Sequence, residues 1–233
     1  MSPLFAQLQR REDFSDDSCV ADNGVCPSWI ADNFDRYVDP FWEHVYLTVV
    51  SVAIGFAIAF GLALLAHRRR WLVPPIIQIT GILYTLPSVA VFFLLLPITG
   101  RGKLTAIIAL VAYTLLILFR NVMTGLDNVP PDARDAGRGM GLTARQLLWR
   151  VELPLALPEI MAGLRIAFTT TVGLAALAFL AGAGGLGAAI FSDFQFRSNV
   201  LVAGGLAVAL AVLLDLAVLG VQKLITPWSR VAG

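Results

Sequence analysis

Five long runs without a charged residue constrain the fold of this chain more than any other feature. They cover residues 45–66, 71–100, 104–119, 166–192 and 198–214. A helix that crosses the hydrocarbon core of a bilayer needs roughly 20 mainly apolar residues. The chain is 58% hydrophobic and 14% charged, which leaves too few polar side chains to cover a soluble protein of this length. We therefore predict an integral membrane protein with five spans.

The same runs favour helices over the strands of a membrane barrel. A barrel strand alternates apolar and polar residues over about ten positions, whereas Val49, Val50, Val52 and Ala53 are apolar at neighbouring positions. The predicted fold is an all-α transmembrane domain over residues 45–233. A tail over residues 1–44 precedes it.

The loops that follow the first, third and fifth runs share most of the basic residues. Eleven lie there, against three in the opposite loops. The eleven are Arg68, Arg69, Arg70, Arg120, Arg134, Arg138, Arg145, Arg150, Arg165, Lys223 and Arg230, and the three are Arg101, Lys103 and Arg197. Cytoplasmic loops of membrane proteins are enriched in Lys and Arg. We predict a multi-pass protein of the cell membrane with its N-terminus outside and its C-terminus inside.

The predicted outer tail contains both cysteines of the chain, Cys19 and Cys26. The turn-forming sequence 22–24 lies between them and would bring them together, and the outer face of a membrane permits disulfides. The alternatives are a disulfide loop and two free thiols. No further cysteine or cluster of histidines accompanies the pair, so we predict no metal site. His44 and His67 are expected at the membrane boundaries.

Four prolines and Gly81 interrupt the second apolar run, which is expected to be kinked or broken. The prolines are Pro74, Pro75, Pro87 and Pro97. Freed backbone groups inside a membrane must face protein or a water-lined path. A polar patch lies at the predicted break and consists of Tyr84, Thr85, Pro87 and Ser88. It either lines a translocation pathway or forms a packed kink.

Further pathway or gate candidates lie in the later runs. They are Asn121, Gly184, Gly185 and Asp215. Residues 182–187 satisfy the pattern GxGxxG, but dinucleotide binding requires a strand before it and a helix after it, whereas here the pattern follows an apolar helical run. We expect close backbone packing here, either alone or together with an irregular turn at the outer end of the fourth span that serves as a gate. The chain has no phosphate-binding GxxxxGK[ST] and no hydrolase motif, so we expect neither an ATPase site nor other catalysis.

A polar segment at about residues 125–163 separates the third and fourth runs. Pro131 favours a helix of eight to ten residues, which residues 139–141 should end with two glycines. Thr143 and Gln146 have capping-box spacing and should start a second short helix before Pro154, and Pro158 should begin the next one. From spacing alone, this hairpin either binds a protein or rests on anionic lipid.

The segment resembles the coupling motif of ABC importer permeases, in which Glu-Ala-Ala is followed after three residues by Gly and after nine more by Ile-x-Leu-Pro. Asp135, Gly137 and Val151 replace Glu, Ala and Ile, while Gly141 and Pro154 match. In the family this loop binds a separate ATPase subunit. The resemblance implies the following docking residues: Asp135, Ala136, Gly137, Arg138, Gly139, Met140, Gly141, Leu142, Leu153 and Pro154.

Residues 85–88, 120–126, 136–141, 151–158 and 182–187 together resemble the osmoprotectant branch of these permeases. The resemblance implies a type I (MetI-like) permease that imports glycine betaine, choline or carnitine. It also implies partners: ATPase subunits that bind ATP and Mg²⁺, a second permease copy or related permease, and an extracytoplasmic substrate-binding protein. This chain itself would need no cofactor. A permease for methionine or another amino acid is the alternative, followed by an ATP-independent secondary transporter.

Overall fold

The computed structural model describes residues 18–226, and every regular element in that range is helical, which confirms the all-α prediction. The helices are α1 (Ser18–Ala21), α2 (Pro27–Asp32), α3 (Val38–Arg68), α4 (Val73–Thr85), α5 (Ser88–Thr99), α6 (Lys103–Asp127), α7 (Pro131–Gly139), α8 (Ala144–Leu147), α9 (Leu153–Ala175), α10 (Leu186–Ser192) and α11 (Arg197–Ile225). Short 3₁₀ helices occupy Phe34–Tyr37, Arg70–Leu72 and Ala178–Ala181, and one π-helical turn occupies Leu148–Glu152. Arg230 and the first 17 residues of the predicted tail lie outside the described residues.

Three helices of the described range are long and apolar enough to cross a membrane. They are α3 with the turn before it, α6 and α11. The pair α4 and α5 passes the same test only when both are taken together, and the two are bent by 97°. Up to four spans in the described range therefore meet the criteria of length and hydropathy, and the count of five that we predicted includes the less apolar α9.

The bend between α4 and α5 lies where the prolines predicted a kink or break. Leu86 precedes Pro87, and a residue before proline is driven out of the helical region by the proline ring. Leu86 accordingly has φ −63° and ψ 137°, so α4 ends at Thr85 and α5 begins at Ser88. The predicted interruption of the second run is confirmed.

The fourth apolar run does not form one helix along its whole length, and the irregular turn predicted at residues 182–187 is present. Helix α9 starts much earlier, at Leu153, and ends at Ala175. It also contains Glu159, Arg165 and three consecutive threonines, which lower its hydropathy below that of the other spans. The chain then turns through residues 176–185, since Gly182 and Gly185 adopt φ of +82° and +84°, and only the short α10 follows.

Helix α6 lies at the centre of the bundle. It packs against α3 and α9, and α4 and α5 also pack against it. One apolar cluster joins α3, α6 and α9 around Phe119 and Ile160, and a second surrounds Phe92 and Leu110. Half of the apolar stretch of α6 is buried, but only 11% of that of α11 is. Most of the surface of α11 is thus left for lipid or another chain.

Two polar contacts define the ends of this bundle. At one end Glu43 of α3 pairs with Lys103 of α6 at 2.9 Å. At the other end Glu152 pairs with His67 of α3 at 2.9 Å. We call these the Glu43 end and the Glu152 end, and the hairpin with α7 and α8 lies at the latter.

Residues 18–37 form a small cap on the Glu43 end. Cys19 and Cys26 are joined by a disulfide, and Trp29 packs edge-on against Phe196 with 4.7 Å between ring centroids. The backbone amide of Cys26 donates to Ser198 Oγ at 2.9 Å. The cap therefore holds the start of α11 through both apolar and polar contacts.

Candidate functional site

Residues 131–152 form a helical hairpin, which we call the coupling hairpin. Its first arm, α7, has nine residues and ends at Gly139, within the predicted length. The turn passes through Gly141 with φ +78°. The second arm begins with the predicted capping box: the amide of Thr143 donates to Gln146 Oε1 at 2.9 Å and the amide of Gln146 donates to Thr143 Oγ1 at 3.4 Å. The first predicted short helix and the start of the second are confirmed.

The hairpin runs without interruption into the membrane helix α9, and the predicted breaks at Pro154 and Pro158 are wrong. One π-helical turn, Leu148–Glu152, connects α8 to α9. Pro154 lies in the first turn of α9, where a missing amide costs little because the wide turn before it already changes the hydrogen-bond pattern. Pro158 lies inside α9. The continuous helix gives the hairpin a rigid link to the bundle.

Three of the predicted docking residues face the protein itself. Gly137 is buried, and a Cβ atom there would lie 2.6 Å from Leu147 Cδ1, so it lets α7 pack closely on α8. Leu153 is buried in the apolar cluster with Ile160, and Pro154 is half-buried. These three residues shape the hairpin from inside.

Six of the predicted docking residues form an exposed outer face. They are Asp135, Ala136, Arg138, Gly139, Met140 and Gly141. Leu142 is half-buried behind them. Met140 is 73% exposed, and Trp149, which the sequence patterns did not single out, is 53% exposed. Large apolar side chains on a protruding turn are typical of a protein interface.

A buried carboxylate, Glu152, ties the hairpin to the bundle, and the sequence analysis missed it. Glu152 Oε1 accepts from Arg134 Nε at 2.9 Å, and its Oε2 lies 2.9 Å from His67 Nε2. Arg134 also donates to the carbonyl of Leu126 at 2.5 Å. Three elements thus meet at the carboxylate, and Arg134 joins them to α6 through Leu126. His67 contributes to this network from the last turn of α3.

The polar patch at the α4–α5 break borders an open cleft of about 450 Å³. Residues from α4, α5, α6 and α9 line it: Tyr84, Leu86, Ser88, Tyr113, Thr170, Gly173 and Leu174. Two predicted pathway residues, Tyr84 and Ser88, are among them, whereas Thr85 and Pro87 are exposed beside the break. Tyr113 was missed because nothing in the sequence relates it to Tyr84, whose ring lies 6.1 Å from its own.

Asn121 and Asp215, also predicted along a path, are used in helix packing. Asn121 donates to Ile117 O at 2.8 Å and lies against Gly163 of α9. Asp215 of α11 accepts two hydrogen bonds from Arg165 of α9, at 2.7 and 2.8 Å. Neither lines the cleft.

The glycine-rich segment, residues 182–187, is hydrogen-bonded to α3 at the Glu43 end. Gly184 lies directly against the Glu43 carboxylate, and the amide of Gly185 donates to Glu43 Oε2 at 3.2 Å. The amide of Leu186 donates to His44 Nδ1 at 3.3 Å, and Val172 O lies 3.0 Å from His44 Nε2. A neutral imidazole with its proton on Nε2 satisfies both contacts. His44 is fully buried near the start of α3, at the Glu43 end.

Comparison with known proteins identifies a family and several relatives for this chain. Residues 51–231 match the family described as "Binding-protein-dependent transport system inner membrane component". The osmoprotectant import permease protein OsmW of Salmonella typhimurium is 36% identical over 85% of this chain and 96% of its own. The glycine betaine/carnitine/choline transport system permease protein OpuCB of Bacillus subtilis is 34% identical over 79% of this chain and 86% of its own.

The fold also has a counterpart among solved structures. A chain of the MetNI methionine ABC transporter in an inward-facing conformation superposes with a TM-score of 0.72 and 26% sequence identity. The alignment covers 82% of this chain and 96% of that one. The break between α4 and α5 and the hairpin before α9 therefore belong to a fold that occurs in ABC importers.

Proposed function

Because this chain belongs to the family of binding-protein-dependent transport system inner membrane components, and is thus a multi-pass permease subunit of an ABC importer, we propose that it imports osmoprotectants with a quaternary ammonium group. Glycine betaine, choline and carnitine are the substrates that we propose. The names of relatives with 34–36% identity over about four fifths of the chain support this choice.

The coupling hairpin is the proposed contact with the ATPase subunit. The observation that carries this assignment is the combination of an exposed outer face and a rigid attachment. Met140 and its neighbours are exposed, while Glu152 joins the same hairpin to α3 and Arg134 joins it to α6. A displacement of α7 by a moving partner would be transmitted to both membrane helices. The outer face, rather than Gly137, Leu153 or Pro154, makes the contact.

ATP and Mg²⁺ would be bound by that separate ATPase subunit and not by this chain. A second permease, either another copy or a related chain, would complete the pathway. The largely exposed surface of α11 and the cleft that stays open on one side of the bundle support a second membrane partner. A substrate-binding protein would deliver solute at the Glu43 end, which on this assignment is the outer end.

A methionine importer is the second candidate, favoured by the similarity to the MetNI chain. The osmoprotectant permeases are more similar in sequence, at 36% against 26% identity. An ATP-independent transporter would need an ionisable residue available for ion coupling. Asp215, the acidic residue proposed for that task, is instead held by Arg165 through two hydrogen bonds.

Uptake by reconstituted complexes tests the proposal. The chain would be purified with its ATPase subunits, reconstituted into vesicles, and supplied with binding protein, ATP and labelled glycine betaine, choline, carnitine or methionine. We expect ATP-dependent uptake of the quaternary ammonium compounds. Uptake of methionine alone would establish the second candidate, and uptake without ATP or without a bound ATPase would refute the importer assignment.

The variants Asp135→Lys and Asp132→Lys test the docking face. Both acidic residues are exposed on α7, but only Asp135 belongs to the motif. Its ion pair with Arg138 is exposed on both sides, and such pairs contribute little stability. We expect Asp135→Lys to abolish copurification of the ATPase and Asp132→Lys to retain it. Equal copurification would contradict the assigned face.

A further inference from the structure

The geometry points to the cleft between α4, α5, α6 and α9 as a transit site for quaternary ammonium groups, with the ring of Tyr84 as the contact surface. This inference rests on the proposed function, since it assigns a place in the permease to the proposed substrate class. Four observations about the cleft support it.

The first observation is the size and charge of the cleft. Its volume of about 450 Å³ falls within the range of small-molecule sites. The side chains that line it are aromatic, aliphatic or hydroxylic, and none carries a formal charge. A trimethylammonium group presents methyl groups to its surroundings, so it needs neither hydrogen-bond acceptors nor a carboxylate. A neutral lining also accepts zwitterions, which glycine betaine and carnitine are, as readily as a cation.

The second observation is the exposed aromatic surface of Tyr84. Tyr84 is 41% exposed at the cleft, whereas Tyr113 is 5% exposed. Cations bind over aromatic faces within about 6 Å of the ring centroid, and quaternary ammonium ligands are bound in this way in aromatic sites. The ring of Tyr84 is therefore available to a solute in the cleft.

The third observation is the end of a helix at the same place. The 13-residue helix α4 ends at Thr85 because Leu86 and Pro87 leave the helical conformation. The carboxyl end of a helix carries a partial negative charge and stabilises cations. Helices broken inside the membrane place such ends at the cation sites of transporters. The carboxyl end of α4 adds a favourable field for a positive group without adding a fixed charge.

The fourth observation explains why Tyr84 stays in position. The hydroxyl of Tyr113 donates to Leu86 O at 2.7 Å, which fixes the backbone at the break. The two rings meet at 66° with 6.1 Å between centroids. Tyr113 is thus a positioning residue. Gly173 of α9 also lines the cleft, and a Cβ built there would meet nothing within 4 Å, so the cleft is open beside this helix.

Binding of tetramethylammonium to the purified permease–ATPase complex, without binding protein, tests the site. Saturation-transfer NMR detects the methyl protons of this probe when they bind. We expect a signal with the unmodified complex and with Tyr84→Phe, which keeps the ring. We expect Tyr84→Leu to weaken binding about fivefold or more. Phe93→Leu is the matched control, since Phe93 is an exposed aromatic residue of α5 outside the cleft lining, and it should bind as the unmodified complex does.

Ring-fluorinated phenylalanines incorporated at position 84 separate a cation–π contact from simple packing. Each fluorine withdraws charge from the ring face but hardly changes its shape, so affinity for tetramethylammonium should fall stepwise with the number of fluorines. Affinity for tert-butanol, a neutral probe of similar shape, should not. Equal tetramethylammonium binding by Tyr84→Leu, or absence of binding by the unmodified complex at millimolar probe, overturns the inference.

Uptake measurements on the same complexes separate this inference from the proposed function. If the unmodified complex imports glycine betaine with ATP but the probe does not bind through Tyr84, only the transit site is refuted. If no quaternary ammonium compound is imported, the proposed function itself fails.

Discussion

Arg134 and Glu152 lie 18 positions apart on the two arms of the coupling hairpin, and the Nε of one donates to the Oε1 of the other at 2.9 Å. Both side chains also contact the membrane helices, Arg134 through Leu126 O and Glu152 through His67. The pair therefore joins the two arms of the hairpin to each other and also attaches them to the bundle. We call this pair the brace. Because Glu152 is only 6% exposed, losing one partner leaves a buried charge, which costs about 3–5 kcal/mol in comparable sites.

Arg134→Lys should uncouple ATP hydrolysis from transport. Lysine keeps the positive charge, but a single ammonium lacks the forked geometry of a guanidinium that reaches Glu152 and Leu126 O together. We expect the hairpin to bind the ATPase but to transmit its motion poorly, so that the amount of solute imported per ATP falls. Arg145→Lys, at an exposed position of α8, is the control and should keep the original ratio. A normal ratio in Arg134→Lys would show that the brace does not transmit motion.

Gly141→Ala should weaken ATPase binding by about fivefold. Gly141 has φ +78°, and a left-handed conformation costs a residue with a Cβ about 1–2 kcal/mol, so the turn that presents Met140 should shift. Gly61→Ala is the control, because Gly61 is exposed on α3, outside the outer face of the hairpin, and nothing lies within 4 Å of a Cβ there. The measurement is the dissociation constant of the ATPase subunit for each variant. Equal affinities would indicate that the turn tolerates alanine.

Replacing Cys19 and Cys26 by serine should loosen the cap. In the chain-entropy description, closing a loop this short contributes about 2 kcal/mol, or roughly a 30-fold change in the opening equilibrium. Hydrogen exchange at the amides of Cys26 and Asn33, which donate to Ser198 and Trp29, should accelerate by up to that factor. Dithiothreitol should have the same effect on the unmodified protein and none on the serine variant. Unchanged exchange would mean that the contacts to α11 alone hold the cap.

The sequence predicted those features that depend on local chemistry. Proline stereochemistry predicted the break at Leu86, and the spacing of Thr143 and Gln146 predicted the start of α8. Long-range contacts were not predictable from spacing. In the sequence Glu152 is a single acidic residue within a largely apolar stretch. Its contacts with His67 and Arg134 form only when α3 and α7 fold against it.

The early end of the helix in the fourth run has a physical origin. Residues 166–192 are uncharged and apolar, which favours one continuous helix. The glycines at 182 and 185 adopt positive φ, and Glu43 and His44 of α3 supply hydrogen bonds to the amides of Gly185 and Leu186. These tertiary contacts stabilise a turn where hydropathy alone indicates a helix.

The Arg165–Asp215 pair should stabilise the packing of α11 on α9 through mutual charge compensation. Arg165→Leu or Asp215→Leu alone leaves one charge without its partner at a lipid-facing helix, and we expect a lower midpoint of thermal unfolding in detergent for each. The double variant removes both charges and should recover much of the loss, since polar and charged groups are expensive in the membrane. Additive losses in this double-mutant cycle would show that the two residues act independently.

Gly184→Ala should disturb the contacts between the glycine-rich segment and α3. A Cβ at this position would overlap with the carboxylate of Glu43, and moving that carboxylate would weaken two contacts, its ion pair with Lys103 and its hydrogen bond from Gly185. We expect a loss of about 1–3 kcal/mol in stability, as for other overpacked sites, and slower uptake if the segment forms part of the outer gate. Gly204→Ala in α11 is the control, because a Cβ there meets nothing within 4 Å. Thermal unfolding and uptake of both variants would be compared. If the unfolding midpoint and the uptake rate of Gly184→Ala are unchanged, Glu43 can move without weakening these contacts.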